Sequence, residues 1–163
     1  MSKKIFLSFL LLVFVLSACS NAESEQVSPC QNPVVPIEVD FSWDPEQSNP
    51  GEEVVFNVVV THENVPIVDA DEVKIEIWEH NNPDYHYMKE TEHVEDGVYT
   101  MPWTFEQEGV YYAYYHVTAC DMHRMEKEMI VVGNPDVDTI VAEPDTVEGK
   151  MSDDHDSDHG HDH

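Results

Sequence analysis

Residues 108–132 read EGVYYAYYHVTACDMHRMEKEMIVV. Two alternating runs flank a short polar centre. Side chains on a strand point to opposite faces in turn. With Tyr111 inward, Ala113, Tyr115, Val117 and Ala119 share its side, and Tyr112, Tyr114, His116 and Thr118 take the other. In the second run Ile130 and Val132 read as core. Met125, Lys127 and Met129 then lie on the outer face. A turn over Cys120–Arg124 joins the strands Val110–Ala119 and Glu126–Val132. The stretch predicts an antiparallel hairpin with one buried face.

The same period of two recurs upstream. Ile37, Val39, Phe41 and Trp43 alternate with polar residues, as do Val54, Phe56, Val58 and Val60, and then Val73, Ile75 and Ile77. Further strands are predicted over Tyr87–Val94, with Met88 and Val94 in the core and His93 outward, and over Val98–Phe105. Turn-rich pieces separate them: WDPEQSNPGEE, VPIVDADE, HNNPD and EQEG. About seven short strands with turns every 8–12 residues predict an all-β, antiparallel β-sandwich. The run Glu108-Gly109-Val110-Tyr111 resembles a tyrosine corner, which points to an immunoglobulin-like topology. The predicted outer face is rich in aromatic and sulfur groups: Trp78, Tyr112, Tyr114, His116, Met125 and Met129. His62, His80 and His86 sit beside turns and read as solvated.

The chain begins MSKKIFLSFLLLVFVLSACSNAES. A basic start, an apolar stretch too short for an ordinary span, and small residues before a cysteine make a signal peptide. Leu16-Ser17-Ala18-Cys19 resembles the lipobox of bacterial lipoproteins. That resemblance implies cleavage before Cys19, acylation of Cys19 with fatty acids such as palmitate, and a place on the extracytoplasmic face of the cell membrane. The expected organisation is a signal peptide over 1–18, a lipidated tether over 19–35, a β-sandwich over 36–133 and a disordered acidic tail over 134–163.

Charge narrows the partners. The 163 residues hold 34 acidic and 7 basic side chains, for a net charge of −27. Such a surface repels nucleic acid and favours cations or a basic protein patch. No nucleophile–base pair, phosphate-binding loop or carboxylate dyad stands out, so the expectation is a protein that is not an enzyme. Cys30 and Cys120 remain once Cys19 is set aside. In an oxidising compartment they can pair, or Cys120 can offer a thiolate to a metal. Two distant single cysteines do not make the CxxC arrangement tuned for exchange.

The stretch HVTACDMHRM supplies imidazole, thioether and thiol groups together, the ligand types that soft Cu(I) takes. His116 and His123 meet on one ion only if the turn folds His123 back. Met125 and Met122 are the sulfur candidates beside them, against a plainer reading as edge and turn filler. At the end of the chain His155, His159, His161 and His163 alternate with aspartates, a pattern suited to loosely held Zn(II) or Cu(II).

Three segments, DADEVKIEIWEH (69–80), HVEDGVYT (93–100) and EGVYYAYYHVTACDMHRM (108–125), resemble the YtkA-like (FixH-like) domain of bacterial lipoproteins. The resemblance spans about residues 33–133. It implies a small immunoglobulin-like sandwich outside the membrane, linked with copper handling and with assembly of haem-copper oxidases. It also implies metal roles for His116, His123 and Met125, with His93 as a further candidate. The expected function is a lipid-anchored copper-binding protein that passes metal to a membrane protein. Its rivals are an interaction module of the envelope without metal, and divalent-metal buffering by the tail alone.

Overall fold

The computed structural model describes residues 29–149. The expected signal peptide, the expected lipidation site Cys19 and the tail histidines His155, His159, His161 and His163 lie outside these residues. The strands are β1 (Glu38–Asp44), β2 (Glu53–His62), β3 (Val65–Pro66), β4 (Glu72–Glu79), β5 (Asn82–Glu90), β6 (Glu92–Glu95), β7 (Val98–Thr104), β8 (Gly109–Ala119) and β9 (Met122–Val132). A single helical turn, α1 (Val137–Ile140), follows them. One sheet runs β1-β2-β7-β6 with β3 beside β2; the other runs β5-β4-β8-β9. Every paired strand is antiparallel. The two sheets face each other as an immunoglobulin-like β-sandwich.

The predicted inward sets build the core. Phe56, Val58 and Val60 of β2 meet Ile75 and Ile77 of β4 and Tyr111, Ala113, Tyr115 and Val117 of β8. Each large apolar side chain removed from water contributes about 1.5–3 kcal/mol. Phe41 stacks on Phe56 with ring centres 5.8 Å apart and also touches Tyr115 across the sandwich. The Tyr111 hydroxyl donates to the Gln107 carbonyl at 3.0 Å, which is the tyrosine corner read from the sequence. Burial, with Glu79 and Tyr85 adding negative field, pushes that hydroxyl up to about 12.

Three expectations change. The predicted strand Tyr87–Val94 is two strands in different sheets, β5 and β6, divided at Thr91. The Thr91 amide and hydroxyl both donate to the Val73 carbonyl, at 3.1 and 2.9 Å, and fix the crossing. Val94 is consequently 59 % exposed, and Met88 stands opposite Glu76 rather than in the core. The hairpin turn is also tighter than predicted. Ala119 pairs with Met122, leaving only Cys120 and Asp121 between the strands. Both have positive φ, 54° and 58°, the backbone of a two-residue turn whose twist suits the flanking strands. Finally, the chain beyond Val132 does not leave the domain at once. Asp136 caps α1 by accepting from the Thr139 amide at 3.2 Å, and residues 141–149 return to the outer face of the β5-β4-β8-β9 sheet.

The expected tether is also partly built in. Cys30 and Cys120 form a disulfide with Cα atoms 5.1 Å apart. Residues 29–35 cover His62, which is 1 % exposed. Its Nε2 faces the carbonyls of Asn32 and Val35 at 3.1 and 3.0 Å, and its Nδ1 faces that of Pro29.

Candidate functional site

Register places the site. Residues directly opposite in an antiparallel pair share a face. His116 pairs with Met125 and Thr118 with His123, so His116, His123 and Met125 all stand on the outer face of one hairpin. The ring centres of His116 and His123 are 6.2 Å apart. Met122, paired with Ala119, falls on the opposite face and packs against the core. His93 lies on β6 in the other sheet, its ring against Tyr99 at 5.0 Å. The tight turn removes Met122 from the expected ligand group, and the crossing at Thr91 removes His93. Cys120 is held in its disulfide and has no thiolate to offer.

Unlike an ordinary outward strand residue, His116 is only 1 % exposed. It sits in a buried polar group that sequence reading missed. Glu76, 0 % exposed, accepts from His116 Nε2 at 3.0 Å through one carboxylate oxygen and from His86 Nε2 through the other. A carboxylate oxygen accepts only, so each histidine presents Nε2–H. In the neutral ring that leaves the lone pair of His116 on Nδ1. That atom is buried and has no hydrogen-bond partner among the described residues. His86 and His80, expected to be solvated, are engaged as well. His80 Nδ1 lies 3.0 Å from the Tyr112 hydroxyl.

The returning C-terminal segment buries this face. Trp78 Nε1 donates to Asp145 Oδ2 at 2.7 Å, and the Asn81 amide donates to Asp145 Oδ1 at 2.9 Å. Asn81 Oδ1 in turn accepts from the Thr146 amide at 2.8 Å. Gly149 comes so close that a Cβ there would stand 2.9 Å from the Tyr114 ring and 3.3 Å from Glu76 Oε2. A glycine lets the strap lie flat on the sheet. Lys127 covers what remains of the aromatic surface, with its ammonium 4.7 Å from the centre of the Tyr112 ring and 5.6 Å from that of Trp78.

Partial burial would raise the Asp145 carboxyl, but the hydrogen bonds from Trp78, Asn81 and Val147, with the nearby His80, hold it below 3.8. A carboxyl depressed in the folded state stabilises the strap above its unfolded value and loses that contribution as pH falls through its folded value. Acidification below 3.8 is therefore expected to free the strap and change Trp78 fluorescence before global unfolding. In Asp145→Asn this early phase should be absent; an early phase of equal amplitude in that variant would refute the role of Asp145.

Among the described residues, no group of three or more His, Cys, Asp and Glu side chains is arranged to hold a metal ion. The His116, His123 and Met125 group contains only two such residues, its third member being a thioether. The sequence carried one hint of the buried group: an outer face too aromatic to be left to water.

A family model described as YtkA-like matches residues 32–116. The match ends at His116, before Cys120, His123 and Met125. No curated protein matches the chain. Among solved structures, the PKD domain of the human VPS10 domain-containing receptor SorCS2 is similar at 17 % identity and a TM-score of 0.35, covering 61 % of this chain and 73 % of that one.

Proposed function

The chain belongs to the YtkA-like family, and from that premise we propose an extracytoplasmic envelope protein that holds Cu(I) on the outer face of its last hairpin. The observation that carries this reading is His116 Nδ1, a buried imidazole nitrogen with no hydrogen-bond partner among the described residues. Histidine ligands commonly donate their other ring N–H to a carboxylate, which fixes the tautomer and the ring. Glu76 stands in that relation to His116. His123 and Met125 would complete an imidazole and thioether set of the kind Cu(I) takes.

The spacing fits within reach. Two imidazoles binding one ion through nitrogens about 2 Å away have ring centres no more than roughly 6 Å apart. The observed 6.2 Å is at that limit, and His123 is exposed and free to turn inward. Copper is cargo in this reading. The hairpin binds it and the strap excludes water, while the lipid anchor at Cys19 would keep the protein beside a membrane acceptor. The tail histidines would gather metal near the hairpin and raise its effective concentration.

Competition against a Cu(I) chelator provides the test. The unaltered chain should show one tight site besides looser tail binding. His116→Ala combined with His123→Ala should abolish the tight site and leave the loose phase. Unchanged tight binding in the double variant would overturn the reading, and so would loss of all binding on removal of the tail alone.

A further inference from the structure

A second site lies at the opposite flank of the sandwich, where β5 of one sheet meets β7 of the other beside the β7–β8 turn. A cleft of about 410 Å³ opens there. Tyr85, Tyr87 and Trp103 line it above the buried Tyr111, together with Glu79 and Glu106. The rings are steeply inclined to one another. Tyr85 and Tyr87 meet edge to face at 84°, with centres 5.0 Å apart. Tyr87 and Trp103 are inclined at 55° and 5.3 Å apart, and Tyr85 and Tyr111 at 58° and 5.3 Å apart. Walls inclined in this way enclose a compact group rather than offering a flat platform.

We propose that this cleft binds an organic quaternary ammonium ion, such as a choline head group. Aromatic faces attract cations through the ring quadrupole, and boxes of several rings select quaternary ammonium groups. Such an ion is apolar enough to enter an aromatic box and charged enough to prefer one lined also by carboxylates. Among the described residues no basic side chain lines the cleft, whereas the aromatic pair on the outer face is already occupied by Lys127. The acids act on the box itself. Tyr85 is raised by burial, opposed by its hydrogen bond from Trp103, and raised further by Tyr87, Glu79 and Glu106. A cation in the cleft would meet that same negative field. The net charge of −27 adds a long-range attraction for cations.

The rings also have a packing role, since Tyr85 and Trp103 rest against the core, so the test separates binding from folding. The full chain is titrated calorimetrically with free choline and with the uncharged alcohol in which a quaternary carbon replaces the nitrogen. Choline should bind saturably and about tenfold tighter than its neutral counterpart. Tyr87→Leu and Glu106→Gln change residues that are 41 % exposed and exposed, respectively, so both variants should fold. Each should weaken choline by roughly three- to tenfold and leave Cu(I) binding at the hairpin untouched. Vesicles of phosphatidylcholine against vesicles of phosphatidylglycerol distinguish a lipid head group from a free solute: binding to the former alone assigns the site to lipid, and binding to neither assigns it to the solute. Equal affinity for the neutral alcohol would overturn the proposal. So would potassium displacing choline as well as tetramethylammonium does, or choline affinity unchanged in both variants.

Discussion

Replacing Cys30 and Cys120 together by serine is expected to lower the free energy of unfolding by about 4.5 kcal/mol, because the bridge closes a long loop in the unfolded chain. The two cysteines are 90 positions apart, so the unfolded chain regains the closure entropy of a loop that spans nearly the whole sandwich. A second cost arises in the folded state. Residues 29–35 supply the three carbonyls around the buried His62 ring, and the disulfide anchors that segment to the tip of the β8–β9 hairpin. Freed from it, the segment can lift and leave polar atoms without partners, at about 1–3 kcal/mol for each group left buried and unsatisfied. Urea unfolding of the two proteins measures the difference. A midpoint that does not move would show that neither the loop nor the cap matters.

Glu76→Ala is expected to cost about 2–6 kcal/mol, since two buried ring donors lose their acceptor at about 1–3 kcal/mol each. The carboxylate holds the Nε2 groups of both His86 and His116 under the C-terminal strap. Its loss strands two ring donors and opens a gap beside Trp78. Glu76→Gln separates packing from chemistry. The amide keeps the volume but turns one acceptor oxygen into a donor, and one facing histidine must then shift its proton to Nδ1. If that ring is His116, the lone pair offered to copper is gone. The glutamine variant should therefore retain most of the stability yet bind Cu(I) roughly 10–100-fold more weakly, as removal of a ligand's carboxylate partner does elsewhere. Thermal unfolding and chelator competition report the two effects independently. Full Cu(I) affinity in Glu76→Gln would detach the buried group from metal binding.

Both predictions rest on residues of unequal legibility. His116, His123 and Met125 are legible as one outer face because alternation along a strand is a local rule, anchored by the inward Tyr111. The tyrosine corner was equally local, since Tyr111 and Gln107 are four residues apart. Met122 and His93 stand apart from that face for reasons a local rule does not reach. A turn two residues long instead of five draws Met122 out of the turn and into β9, opposite Ala119 on the inward face. The strand carrying His93 changes sheets at Thr91, through hydrogen bonds to a carbonyl eighteen positions away.

The amino-acid sequence alone determined the sandwich, its inward residues and the face on which the hairpin groups stand. These follow from the period of two, the turn residues and the tyrosine corner, all of which act over a few neighbouring positions. Only the tertiary structure decided that this face is closed over. Glu76 and His116 are forty positions apart, and Trp78 and Asp145 sixty-seven. Nothing local in the sequence marks Glu76 as an acid that two histidines need. Its role exists only because β4, β5, β8 and the returning strap pack together and exclude the water that would otherwise satisfy each of them.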